Sequence, residues 1–169
     1  MPVTDLALLT QAARKSGQIA AGYFGQGPEV WEKAGGAGPV TAADLAVNTM
    51  LHQTLQTARP DYGWLSEETE DTDARLDTQA QFVIDPIDGT RAFIAGTKDW
   101  AHSLAVVQAG QVTAAAVYLP MRDAMFTAAL GQGAYLNGAP INALANTVMA
   151  QATILTHKAN CHKKHWKDG

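Results

Sequence analysis

The sequence predicts an α+β fold, and three observations carry that prediction. Two segments with helical spacing of apolar residues come first in the 169-residue chain. A series of strand-length apolar runs separated by turn residues follows them. An acidic, polar stretch, Glu68 to Thr78, lies between the two zones. Helices segregated from a strand meander make the sheet mostly antiparallel, with the helices packed on it.

The elements follow in order. From Leu6 to Phe24, the residues Leu8, Leu9, Ala12, Ala13, Ile19, Ala20 and Tyr23 recur at three- and four-residue steps, with Thr4 or Asp5 as N-cap. Gly25 to Gly38 holds five glycines and Pro28, and reads as a loop or an irregular hairpin. A second helix opens at Thr41-Ala42-Ala43-Asp44, carries Leu45, Met50, Leu51 and Leu55 as its apolar stripe, and ends at Arg59-Pro60. Trp64 to Ser66 and Gln81 to Ile84 are short strands. His102–Gln108, Gln111–Leu119 and Ala124–Leu130 are further strands, separated by turns at Ala109-Gly110 and Pro120 to Asp123. More turns fall between Gly131 and Pro140. Residues 1–155 read as one domain. Residues 156–169 form a Lys/His-rich tail without periodicity.

Composition narrows the function. The chain is 47% hydrophobic and 17% charged, with net charge -4, so its overall balance offers no basic surface for nucleic acid. A single cysteine, Cys161, excludes an internal disulfide and fits a reducing, cytoplasmic setting. Neither a secretory leader nor an apolar run of membrane-spanning length is read from the sequence.

Four acids stand where a strand or a helix begins or ends: Asp44, Glu67, Asp85 and Asp88. Strand ends commonly build sites, and hard cations such as Mg2+ take carboxylate and carbonyl oxygens. In Asp85-Pro86-Ile87-Asp88-Gly89-Thr90, Pro86 is expected to stop the strand at Asp85. Both aspartates then face one centre and the Ile87 carbonyl turns towards it. Gly89 lets the backbone approach a ligand, and a short helix from Thr90 through Ile94 offers free N–H groups to a phosphate. Ordinary turn chemistry explains Asp-Pro and Asp-Gly equally well in isolation. Asp44 reads either as a site residue or as the cap of its own helix. Lys33 reads as a solvent lysine or as a neighbour of the site. Glu68 reads as a hydrogen-bonding partner behind the ligands or as a surface acid. Arg91 reads as a reader of substrate charge or as an exposed side chain.

The aspartate run resembles the signature of the inositol monophosphatase family. So do Lys33 followed by Pro39-Val40-Thr41-Ala42-Ala43-Asp44, Ser66-Glu67-Glu68-Thr69, and Gly131-Gln132-Gly133-Ala134-Tyr135-Leu136-Asn137-Gly138. The resemblance covers about residues 5 to 155. It implies the N-terminal half of a layered αβαβα sandwich and a Mg2+-dependent, lithium-sensitive phosphomonoesterase with two or three ions. Under it, Glu67, Asp85 and the Ile87 carbonyl hold the first metal, and Asp85 bridges to a second held by Asp88. Thr90 with Asp44 activates the attacking water, Glu67 also assists catalysis, and Asp88, Gly89 and Thr90 hold the phosphate. Lys33 and Glu68 support the ligands. The implied substrate is a small phosphorylated metabolite: an inositol phosphate, histidinol phosphate or the 3′-phosphate of an adenosine bisphosphate. Family members are often dimers, so the resemblance also implies a homodimer.

The family carries a later Trp-Asp-x-Ala element whose aspartate completes the second metal site. Trp166-Lys167-Asp168-Gly169 does not reproduce its spacing, so no role is carried onto Asp168. Truncation of a longer enzyme is the expectation, and a non-catalytic metal-binding or interaction module is the alternative. In the tail, His157, Cys161, His162 and His165 read as an incomplete segment rather than as a zinc site.

Overall fold

A computed structural model describes residues 3–143 and Val148. The tail from residue 156, with its three histidines and Cys161, lies outside the described residues. The α+β expectation holds. Helix α1 (Asp5–Ala21) is followed by a hairpin of β1 (Val30–Glu32) and β2 (Pro39–Thr41), then by α2 (Ala42–Ala58). Next come β3 (Gly63–Ser66), β4 (Ala80–Asp88), the short α3 (Thr90–Ile94), β5 (Ala101–Gln108) and β6 (Gln111–Leu119). Strands β7 (Ala124–Ala129), β8 (Gly133–Leu136) and β9 (Ala139–Ile141) complete the described residues. β3 to β9 form one seven-stranded sheet in chain order. Only β3 and β4 pair in parallel in it.

Both helices begin where hydroxyl caps place them. The Thr4 side chain accepts from the Ala7 N–H at the start of α1. Thr41 and Asp44 form a reciprocal capping box at the start of α2. Leu9, Ala13 and Ala20 of α1 and Val47, Leu51 and Leu55 of α2 are fully buried. They pack on the sheet face made by Phe82, Ile84, Leu104, Val106, Ala114 and Ala116. Leu45, expected in the α2 stripe, is instead 42% exposed. At about 100° per residue it points away from the side shared by Asp44, Val47 and Leu51.

The expected end of the fourth strand also needs correction. β4 does not stop at Asp85 but runs to Asp88. Asp85 pairs with Ser103 and Asp88 with Ala101, so β4 advances three residues while β5 advances two. The surplus residue is a bulge at Pro86-Ile87. It lets a residue without an N–H stay in a strand, because the bulge needs no ladder donor there. The Pro86 carbonyl is taken up by the Nδ1–H of His102.

His102 is fully buried, and among the described residues its Nε2 has no hydrogen-bond partner. Burial drives its imidazole down to about 4, against the opposing hydrogen bond to the Pro86 carbonyl. The folded chain therefore refuses a proton that the unfolded chain accepts below about pH 6.5, and the cost is complete near pH 4. Other groups titrate in the same range, so the measurement is a difference. Between pH 7 and 4.5, the urea-unfolding free energy of the unaltered chain is expected to fall by about 2 kcal/mol more than that of His102→Phe. Parallel curves would contradict this role of His102.

Candidate metal and phosphate site

Parallel pairing of β3 with β4 brings two C-terminal strand ends together. Ser66 lies opposite Ile84, and the Glu67 N–H extends the ladder by donating to the Ile84 carbonyl at 3.1 Å. Glu67 therefore emerges beside Asp85. The bulge then carries the chain round to Asp88. Glu67, Asp85, Ile87, Asp88, Gly89, Thr90 and Arg91 line one open cleft of about 250 Å3, together with Ala37 and Gly38 of the β1–β2 loop and Pro39 at the start of β2. A larger cavity of about 930 Å3 lies at the opposite ends of β3 and β4, among Tyr62, Arg75 and Gln108. None of the acids singled out in the sequence lines it. Its Arg75 is already paired with Asp71 at 2.6 Å.

Asp44 caps its own helix and also faces Thr90. Its Oδ2 accepts from the Thr41 N–H at 2.8 Å and from the Thr41 hydroxyl, which caps α2. Its Oδ1 faces the Thr90 hydroxyl at 3.4 Å. Asp44 is fully buried, and burial raises its carboxyl above the usual range while the Thr41 bonds pull it back. A carboxylate raised in this way is a better proton acceptor. The Thr90 hydroxyl also lies 3.1 Å from the Ile87 carbonyl, so its one hydrogen has two acceptors in reach.

Lys33 is not a solvent lysine. Its ammonium contacts Glu67 at 2.6 Å and Glu68 at 2.7 Å, and its side chain is 15% exposed. Burial alone would lower its pKa, but the two carboxylates outweigh that and hold it above the ordinary value. The Glu68 side chain is 5% exposed; burial raises its carboxyl, and Lys33 offsets part of the rise. Glu68 is thus an interior partner and not a surface acid.

Gly89 has φ +94°, and a Cβ there would meet the Asp99 carbonyl at 3.0 Å. Glycine is required on both counts. Beneath it, Phe93, Trp100 and Phe24 pack edge to face and tilted, with ring centroids 4.9 to 5.6 Å apart. This cluster fixes α3, and with it Thr90.

The donor set fits a hard cation. Glu67, Asp85 and Asp88 offer three carboxylates, all oxygen donors. Burial, followed by the charges of Glu67 and Asp88, pushes the Asp85 carboxyl up to about 7. That crowding is the condition a divalent cation relieves. Among the described residues, no three His, Cys, Asp or Glu side chains converge into a finished cage. Part of the positive charge is instead supplied by the Lys33 ammonium on Glu67.

Sequence reading missed Asn48. It stands one turn after Asp44 and bonds to the Ser66–Thr69 corner: Nδ2 donates to the Glu68 carbonyl at 3.3 Å and to Thr69 Oγ1 at 3.0 Å. Its Oδ1 accepts from Ser66 Oγ at 2.7 Å. Its four-residue spacing from Asp44 was the one signal available.

The sequence model described as "Inositol monophosphatase family" matches residues 2–169. An inositol-1-monophosphatase of Rhizobium meliloti (strain 1021) is 33% identical over 152 residues, which cover 89% of this chain and 57% of that protein. The Nus factor SuhB of Escherichia coli (strain K12) is 37% identical over 139 residues, covering 81% and 51%. The crystal structure of extragenic suppressor protein suhB from Bartonella henselae superposes with a TM-score of 0.76 at 35% identity, over 82% of this chain and 54% of that one. The chain spans about half the length of the curated relatives it matches. Among the described residues, no helix is long and apolar enough to cross a membrane.

Proposed function

Because this chain belongs to the inositol monophosphatase family, we propose that its cleft binds Mg2+ and serves the hydrolysis of a small phosphate monoester. The observation that carries this reading is the meeting of two groups in one place. Glu67, Asp85, Ile87 and Asp88 line the cleft, and the Thr90 hydroxyl beside them is backed by the buried Asp44. Bound there, a divalent cation lowers the pKa of water and offsets phosphate charge.

The chain's own residues do the rest. Asp44 Oδ1 draws the Thr90 proton, which leaves the Thr90 oxygen free to accept from an attacking water. Gly89, Thr90 and Arg91 line the cleft, where the two backbone amides and the guanidinium would bind the phosphate. Lys33 holds Glu67 and Glu68 together as one unit. The names of the relatives do not converge on one ester, so the class remains a small phosphorylated metabolite such as an inositol phosphate, histidinol phosphate or adenosine bisphosphate.

The test is Mg2+ titration by calorimetry together with phosphate release from these three esters. The expected result is binding by this chain and release that stops with chelator. Thr90→Ala is expected to keep Mg2+ binding while slowing release by about a hundredfold or more. Binding without release from any ester would favour the metal-binding module. Absence of Mg2+ binding would refute both readings.

A further inference from the structure

We propose that Asn48 is a positioning residue for the cation site, a role that rests on the ligand reading above. Its carboxamide has three partners, and all of them belong to the Ser66–Thr69 corner that carries Glu67. Its orientation is chemically determined. Turned over, the amide oxygen would face the Glu68 carbonyl and the NH2 would lose that acceptor. Beyond the Lys33 ammonium on the Glu67 and Glu68 carboxylates, the corner has few other constraints. Glu67 N–H donates to the Ile84 carbonyl, and Thr69 N–H closes a turn on the Ser66 carbonyl at a long 3.3 Å. The Glu68 N–H reaches Ser66 Oγ at 3.4 Å, so the hydroxyl that Asn48 holds is itself part of the turn. Trp64 Nε1 adds a second donor to Thr69 Oγ1 at 3.3 Å.

The position of Asn48 on α2 gives the contact its meaning. Asp44 and Asn48 are one turn apart, so they project from the same side of a rigid helix about 6 Å from one another. Asp44 sets the Thr90 hydroxyl, and Asn48 sets the turn that presents Glu67 beside Asp85. α2 therefore gauges the distance between the water-activating pair and the ligand corner. A side chain chosen for packing alone would be apolar here, between the buried Val47 and Leu51.

The test uses Mn2+ as an EPR-visible hard cation on the whole chain. Asn48→Leu keeps the bulk and removes all three bonds. Ser66→Ala removes one end of the shortest of them and keeps the falsification open if Asn48→Leu fails to fold. Each is expected to weaken Mn2+ binding about tenfold or more, the range found for residues behind metal ligands. The double variant should lose less than the two single losses combined, because both changes break the Asn48–Ser66 link. Thr49→Ala, next in the helix and bonded only to the Leu45 carbonyl, should leave affinity unchanged. Affinity within twofold of the unaltered chain in a folded Asn48→Leu or Ser66→Ala, or independent additive losses, would overturn the positioning role alone. Failure of the unaltered chain to bind Mn2+ would overturn the ligand reading and this role together.

Discussion

Asp85→Asn is expected to lower Mg2+ affinity by about a hundredfold or more and to abolish metal-dependent phosphate release, while making the metal-free chain more stable. The two effects have one cause. Asp85 is the half-buried carboxylate crowded by Glu67 and Asp88, and its carboxyl is pushed up to about 7 by burial and those charges. An amide keeps the shape and removes the charge that a hard cation needs. Without the cation, the same charge only repels its neighbours. Its loss should raise the unfolding free energy in chelator by about 1 kcal/mol, a value reduced because the group is half exposed and its neighbours are screened. Calorimetric titration and urea unfolding in chelator measure the two arms. Unchanged Mg2+ affinity would remove Asp85 from the ligand set. A destabilised metal-free variant would show that Lys33 already neutralises the cluster.

Phe82→Ala should give the opposite pattern. Phe82 is fully buried on β4, with Tyr62 and Trp64 rings at 5.2 and 6.4 Å. Truncation leaves a cavity between the sheet and α2, and the expected cost is about 3–5 kcal/mol. That is a large part of the roughly 5–15 kcal/mol holding a domain of this size. Phe82 is three strand residues from Asp85, about 10 Å away, so the folded fraction should bind Mn2+ within about twofold of the unaltered chain. The urea midpoint and an Mn2+ titration below it read both quantities. A loss under about 1 kcal/mol would mean that the interior closes around the gap.

These two residues also show which parts of the molecule the sequence made legible. α1, α2 and β5 to β7 were legible because local spacing decides them: Leu9, Ala13 and Ala20 recur on one side, and short apolar runs stand between glycine-rich turns. That Asp85 and Asp88 share one cleft was legible because the acid run directly follows a strand, whose end opens on a crevice. Three features depend on partners distant in sequence. Leu45 looked like core until the phase of α2 was set by what Val47 and Leu51 meet on the sheet. Pro86 looked like a strand end because the rule for proline is local, whereas a bulge against β5 and the His102 imidazole are tertiary. Lys33 could not be told from a solvent lysine, since its two carboxylate partners lie 34 and 35 residues ahead of it. Asn48 carried almost no signal, because a polar residue on a helix is ordinary until its partners are known.

The parallel pairing of β3 with β4 has a consequence in time as well as in space. From Gln81 to Ile84, β4 is hydrogen-bonded on both sides, to β3 and to β5. Its amides there should exchange with solvent only when the whole domain opens. The β1–β2 hairpin pairs only with itself, and β1 is exposed along its length. Lys33 follows β1 directly, so it belongs to a segment able to open in a small, separate event. Asp85 thus follows directly on the slowest-exchanging part of the fold, and the ammonium that covers its neighbour Glu67 belongs to one of the fastest. Deuterium uptake at Glu32 to Gly38 should therefore run ahead of Phe82 to Ile84 by orders of magnitude, and a cation reaching the cleft would meet a fixed floor beneath a cover that lifts by itself.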